Sequence, residues 1–210
     1  MVEMGMKPRR RLRVKPQPQV SSKGLFFDEK AHKYYYDGVP VPSVTGILRD
    51  AKVFDYASLN MMWADRGTAI HTVTELDDAG ALDTSKVENP LLGPLEGWRK
   101  FKTDTNIEVL AIEEGVYHPI YRYAGKLDRR VMWRGKEGII DIKSGAKAPW
   151  HPIQTMGYAK CFDRPMQRFC LYLSSDGQYA LEEHKDPSDW DVFRAAVCLA
   201  SWKRKAGMIK

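Results

Sequence analysis

Residues 123–145 read YAGKLDRRVMWRGKEGIIDIKSG, and they decide how the rest of the chain is understood. Apolar and polar residues alternate on both sides of Trp133-Arg134-Gly135-Lys136-Glu137-Gly138. That is the pattern of two strands joined by a short polar turn. With the turn centred near Gly135 and Lys136, Asp128 on the first strand falls opposite Asp141 to Lys143 on the second. Asp141 and Lys143 are two apart, so they leave the same face of their strand. The second strand is otherwise apolar and reads as buried, where an Asp and a Lys are expensive unless paired or coordinating something. A salt bridge between them would meet part of that cost. Asp128 adds a second carboxylate, and two facing carboxylates repel unless a cation sits between them. Mg²⁺ takes oxygen ligands and keeps several waters, so few carboxylates suffice. A lysine beside such a site can position an attacking water or offset charge on a phosphate.

The charge of the chain is concentrated far from this hairpin. Residues 1–24 hold Lys7, Arg9, Arg10, Arg11, Arg13, Lys15 and Lys23 against Glu3, with Pro8, Pro16 and Pro18 among them. That segment alone accounts for the net charge of +6 and leaves 26 basic and 26 acidic residues behind it. The basicity therefore describes an arm, with residues 25–210 expected as a single domain. A polybasic arm reads as a tether to nucleic acid, acting through phosphate neutralisation. No apolar run suits a signal peptide or a membrane helix, and the prolines argue against an amphipathic presequence. Cys161, Cys170 and Cys198 are widely spaced and odd in number, which points to a reducing compartment without a disulfide framework.

Outward from the hairpin, residues 26–47 (FFDEKAHKYYYDGVPVPSVTGI) read as a second hairpin about Asp37-Gly38. Pro40 and Pro42 are expected to break it, His32 to lie on the solvent side, and Ser43 or Thr45 to cap a helix. Residues 57–78 read as a helix on which Ala64, Gly67, Thr68, His71 and Glu75 share a face. A helix over 91–103 buries Leu95, Trp98 and Phe101. The strand 107–117 carries Glu113 and Glu114, of which alternation allows only one to face Asp128. A helix over 152–162 sets Gln154 and Tyr158 on one face, with His151 before it as a further substrate contact. Strands 168–173 and 178–183 form a last hairpin. A helix over 187–205 follows, with Trp190, Phe193, Val197 and Leu199 to Trp202 as its apolar stripe.

Gly125, Asp128 and Asp141-Ile142-Lys143, with twelve residues between the aspartates, resemble the G-x-x-D and D-x-K motifs of RecB-type PD-(D/E)xK nucleases. Arg66-Gly67-Thr68 with His71 resembles the first motif of that branch, and Gln154 with Tyr158 its Q-x-x-x-Y. The His32/Tyr34 hairpin followed by Pro42-Ser43-Val44-Thr45 resembles the front end of phage-type and mitochondrial genome maintenance exonucleases. The resemblance implies an α/β fold with a restriction-endonuclease-like core, a mixed central sheet flanked by helices. It implies a DNA exonuclease dependent on Mg²⁺ or Mn²⁺. Asp128, Asp141, Lys143, His71 and Glu113 would be catalytic. All of these but Lys143 would ligate metal, joined by the Ile142 carbonyl. Gln154, Tyr158, Ser43, Thr45, Arg66 and Lys126 would meet substrate, and Glu75 would partner His71. No cysteine precedes Cys161, so no iron–sulfur cluster is expected. DNA with a free end is the implied substrate, a single-strand annealing or replication protein the implied partner, and the cytoplasm of a bacterial or phage-infected cell the setting, an organelle being left open. An endonuclease with the same site, a DNA-binding module without catalysis, and a subunit of a larger nuclease stay open beside it.

Overall fold

A computed structural model of the chain describes residues 23–54 and 61–209. The basic arm therefore lies outside the described residues up to position 22, as does the start of the helix expected from 57.

The first element is a three-stranded antiparallel sheet of β1 (Leu25–Asp28), β2 (Lys33–Tyr36) and β3 (Val39–Val41). Asp37 and Gly38 make the expected turn with positive φ at both residues. Pro40 does not break the sheet: it sits within β3, paired with Tyr35. β3 is an edge strand, the one place where a residue without an N–H is tolerated. Tyr34 and Val41 pack against Tyr117 and Ala124, and Tyr36 stacks on Tyr117 with ring centroids 3.8 Å apart.

Helix α1 (Val44–Ala51) follows, its first turn closed by Ser43, whose hydroxyl accepts the Gly46 N–H at 2.9 Å. Next come α2 (Met61–Asp78) and α3 (Asn89–Thr105), then β4 (Glu108–His118), β5 (Tyr123–Trp133) and β6 (Lys136–Lys143). Helix α4 (His151–Ala159) carries the chain from β6 to β7 (Gln167–Leu173), and β8 (Tyr179–Glu183) and α5 (Asp189–Lys205) complete it. The strands form one mixed sheet in the order β4-β5-β6-β7-β8, parallel only between β6 and β7. A parallel pair needs a crossover, and α4 is that crossover. Helices lie on both faces, so the architecture is the mixed α/β one expected of the sequence.

Two apolar clusters divide the faces. Val44, Ile47 and Leu48 of α1 meet Tyr158 of α4 and Phe193, Ala196 and Ala200 of α5 on one side. Ile70 of α2 and Trp98 and Phe101 of α3 meet Ile140, Ile142, Phe169 and Leu171 on the other. Of the expected apolar stripe of α5, Trp190, Phe193, Val197 and Ala200 pack on the core, whereas Leu199 and Trp202 are exposed and Ala196 takes a core position in addition.

The β5–β6 turn falls at Arg134 and Gly135, with φ of 52° and 73°, one residue earlier than the sequence suggests. Two successive positive φ values define the tight turn that matches strand twist, and glycine takes the second without strain. The register from Trp133↔Lys136 to Arg129↔Ile140, extended by one step, sets Asp128 opposite Asp141.

Candidate metal centre

The ladder between β5 and β6 ends at Arg129↔Ile140, whereas β6 stays paired to β7 as far as Lys143↔Tyr172. The two strands therefore part just where Asp128, Asp141 and Lys143 lie. Side-chain packing marks the same point. Leu127 joins the cluster of α1, α4 and α5, yet Val131, four residues on, joins that of α2 and α3. Residues four apart on a regular strand share a face, so β5 turns over between them. On β4 the pairs Ile112↔Arg129 and Glu114↔Leu127 bracket Glu113, whose φ is 50°. A non-glycine residue there stores roughly 1–2 kcal/mol of strain. Both strands are thus irregular at the two residues that carry carboxylates.

Those irregularities aim the acids. Asp128 Oδ2 accepts the Ile142 N–H at 2.6 Å, in place of the ladder bond that β5 has given up. Its Oδ1 lies 3.1 Å from His71 Nδ1, and His71 Nε2 lies 3.0 Å from the Ile142 carbonyl oxygen. Both neighbours of the ring are acceptors, so both nitrogens must donate and the imidazole is protonated as it stands. Burial opposes that charge, but Asp128, with Asp141 and Glu113 behind it, outweighs burial and pushes the His71 pKa up to about 9. Asp128 correspondingly stays below the usual carboxylate range: His71 and the Ile142 amide overcome its burial. Both ring nitrogens of His71 are engaged in this way, which leaves neither for Glu75.

Of the two glutamates, Glu113 joins this group, and Glu114 turns to Arg130 at 2.7 Å. Glu113 Oε2 meets Lys126 Nζ at 2.9 Å, while its buried Oε1 has no hydrogen-bond partner among the described residues. Burial first, and then Asp128, raise the Glu113 pKa. His71, Glu113 and Asp128 offer ligand atoms that lie within 4.8 Å of one another. The residues fit a divalent cation: an imidazole and two carboxylates, one holding an unsatisfied buried oxygen, converge where a proton now bridges acceptors.

Asp141 and Lys143 stand beside this trio. Asp141 Oδ2 is 2.5 Å from Lys143 Nζ and also accepts from the buried Cys170 thiol at 3.8 Å. Burial works against the ammonium, but Asp141 and Asp128 hold the Lys143 pKa above its ordinary value. Lys143 also donates to Gln154 Oε1 at 2.9 Å, and Gln154 Nε2 donates to the Tyr158 hydroxyl at 3.3 Å. Gln154 and Tyr158 are both buried, so the four-residue spacing on α4 serves Lys143 directly. Gly125 explains itself here: a Cβ on it would stand 2.5 Å from Tyr158 Cε1.

The remaining sequence candidates are more scattered. Lys126 reaches Glu113 and passes over the Phe27 ring at 5.8 Å. Ser43 caps α1, with the Thr45 hydroxyl 3.4 Å away, and Arg66 is half-buried on α2. His151 is buried and bonded to the Tyr172 hydroxyl at 2.9 Å. Sequence reasoning missed Arg129, Asp78 and Thr74, which form a buried network behind the acids. The available signal was an arginine on a strand that is otherwise apolar on that face.

His151 makes a separable prediction about stability. Burial, then Lys143 and His184, push its pKa down to about 3. As pH falls through about 6.5 the unfolded chain takes up a proton at this residue and the folded chain does not. Folding is thus weakened progressively between pH 6.5 and 3, by at most about 1.4 kcal/mol per pH unit and by less where solvent screens the ring. Urea midpoints taken from pH 7.5 to 4.5 should fall more steeply for the wild type than for His151→Gln. Parallel curves would show that the ring accepts the proton without loss.

No family model matches this sequence, and no curated protein matches it. Among solved structures, an alkaline exonuclease (LHK-Exo) from Laribacter hongkongensis is similar at 16% identity, over 78% of this chain and 93% of that one, with a TM-score of 0.43. The same protein in complex with dAMP gives 16%, 81%, 95% and 0.39 in the same order. SSO0001 gives 21%, 63%, 68% and 0.36. No activity transfers at these scores; the chemistry of this chain rests on its own side chains.

Proposed function

We propose that this chain is a divalent-cation-dependent nuclease acting on DNA, an exonuclease of phage-recombination or genome-maintenance type. The observation that carries the reading is the meeting of His71, Glu113 and Asp128 within 4.8 Å, beside the buried Asp141–Lys143 pair. Three buried or half-buried carboxylates so placed are costly in an idle protein, and a binder of polyanions has no use for them.

Asp128, Asp141, Glu113 and the Ile142 carbonyl would hold Mg²⁺ or Mn²⁺, with His71 joining once it releases a proton. A cation held there supplies an acidified water and a counter-charge for the phosphate. Lys143 has three donors; among the described residues Asp141 and Gln154 take two, and the Trp150 ring centroid lies 5.3 Å from the ammonium. The third remains to orient the attacking water or to steady charge growing on the phosphate. Tyr158 holds Gln154, and Gln154 holds Lys143, so that donor has a defined direction. Arg66 and Lys126, with the Ser43 and Thr45 hydroxyls, are proposed backbone contacts, and the basic arm a sequence-independent tether. No described helix is long and apolar enough to cross a membrane. A cytoplasmic setting, an annealing or replication partner and a centre free of iron–sulfur chemistry complete the proposal.

Digestion of end-labelled linear and covalently closed circular DNA, single- and double-stranded, tests it. Linear DNA should shorten with Mg²⁺ or Mn²⁺ and persist in EDTA, while circles stay intact. Cutting of circles would make the protein an endonuclease. Binding without any cleavage would leave a DNA-binding module.

A further inference from the structure

Behind the three acids lies a cation that takes no part in the chemistry described above. The Arg129 side chain is fully buried, with its guanidinium 5.3 Å from the Trp98 ring centroid. Its Nε donates to Asp78 Oδ2 at 2.7 Å, its Nη2 to Thr74 Oγ1 at 3.1 Å, and its Nη1 to the Asp128 carbonyl at 2.7 Å. Thr74 Oγ1 in turn donates to the His71 carbonyl at 2.9 Å. One planar group therefore touches the backbone of Asp128 directly and that of His71 through a single hydroxyl. The same Nη1 is 4.0 Å from Glu113 Oε1, the carboxylate oxygen without a hydrogen bond among the described residues.

At the far end of the network Arg129 is one of three donors on a single carboxylate, so its Nε stays anchored when any one of the others is lost. Asp78 closes α2 at its C-terminus, where the helix dipole disfavours a carboxylate. It is held there by Arg129, by Trp98 Nε1 at 3.0 Å and by Lys102 Nζ at 2.6 Å. A fork with fixed donor geometry transmits position in a way that a flexible ammonium does not.

We infer that Arg129 is the positioning residue of the metal centre: it sets the separation of α2 from β5, and with it the spacing of His71, Asp128 and Glu113. The inference rests on the reading that those residues hold a cation. Supports lying behind metal ligands commonly govern affinity by about 10–100-fold, and Arg129 reaches two ligands through hydrogen bonds and stands 4.0 Å from a third.

Isothermal titration of the intact chain with Mn²⁺, paired with urea midpoints in EDTA, tests this. Thr74→Val removes one link at nearly constant volume and should weaken Mn²⁺ binding about tenfold. Arg129→Lys keeps a charge near Asp78, gives up the other links, and should weaken binding further. Lys102→Met, in the same network but remote from the ligands, should lower the urea midpoint and leave Mn²⁺ affinity within about twofold. If Arg129→Lys does not fold, Thr74→Val decides alone. Unchanged affinity in Thr74→Val, or an equal loss in Lys102→Met, overturns the inference and makes Arg129 a structural clamp. A wild type that neither binds Mn²⁺ nor cleaves DNA is a distinct failure, seen before any variant is made, and it removes the nuclease reading together with this one.

Discussion

Lys143→Met is expected to cut DNA about 10³-fold more slowly than the wild type at saturating Mn²⁺, in single-turnover assays. Among the described residues the Lys143 ammonium is the charged donor bound to Asp141, so under the proposed mechanism its loss removes both water orientation and counter-charge. Lys143→Arg is not expected to rescue the rate, because the planar guanidinium cannot place one donor on Asp141, one on Gln154 and one forward. A second consequence separates this from simple misfolding. Without Lys143, the buried Asp141 loses its ion pair, which destabilises the metal-free protein by about 3–5 kcal/mol. A cation supplies the missing charge, so Mn²⁺ should raise the thermal midpoint of Lys143→Met more than that of the wild type. A variant that cleaves within tenfold of wild type would reduce Lys143 to a structural partner of Asp141.

Gly125→Ala carries the second large effect, although the glycine bears no chemistry. The new Cβ would lie 2.5 Å from Tyr158 Cε1 and 3.3 Å from Val44 Cγ2, both members of one buried cluster. Overpacking of this kind costs about 1–3 kcal/mol. A ring that retreats from this contact draws away the hydroxyl that steadies Gln154. Displacements near 1 Å in such supports can cost about 10²-fold in rate. Adding Tyr158→Leu to Gly125→Ala should return much of the lost stability and none of the activity. If the double variant is no more stable than Gly125→Ala, the clash lies with Val44 and the link to Lys143 is wrong.

The sequence makes the β5–β6 hairpin legible because alternation and a polar turn are local signals. It places Asp128, Asp141 and Lys143 because register follows from the turn to within one residue. Gln154 and Tyr158 are legible for a similar reason, helical spacing on one face. What it hides are the consequences of irregularity. Strict alternation puts Arg129 on the face opposite Asp128 and suggests that it plays no part, but β5 turns over at that pair and brings the guanidinium behind the site. The positive φ of Glu113 is likewise invisible, since glutamate has no preference for that region. Size misleads in α5, where the large Trp202 and Leu199 look like core. There the small Ala196, packed with α1, takes a core position beside the expected Ala200. Pro40 misleads through its general aversion to sheets, which does not extend to an outer strand.

That proline closes off one way for copies of the protein to meet. In a hairpin with a two-residue turn, Tyr36 and Val39 exchange hydrogen bonds and the next pair, Tyr35 and Pro40, does not. The backbone nitrogen of Pro40 therefore faces away from β2, on the outer side of β3, where the carbonyl of Pro42, two residues on, already accepts the Ala124 N–H at 2.9 Å. An open margin is normally a template on which another chain lays a strand. Here the central position has no hydrogen to give, and β3 is only three residues long. That edge is finished, and a strand from another copy would find no template along β3.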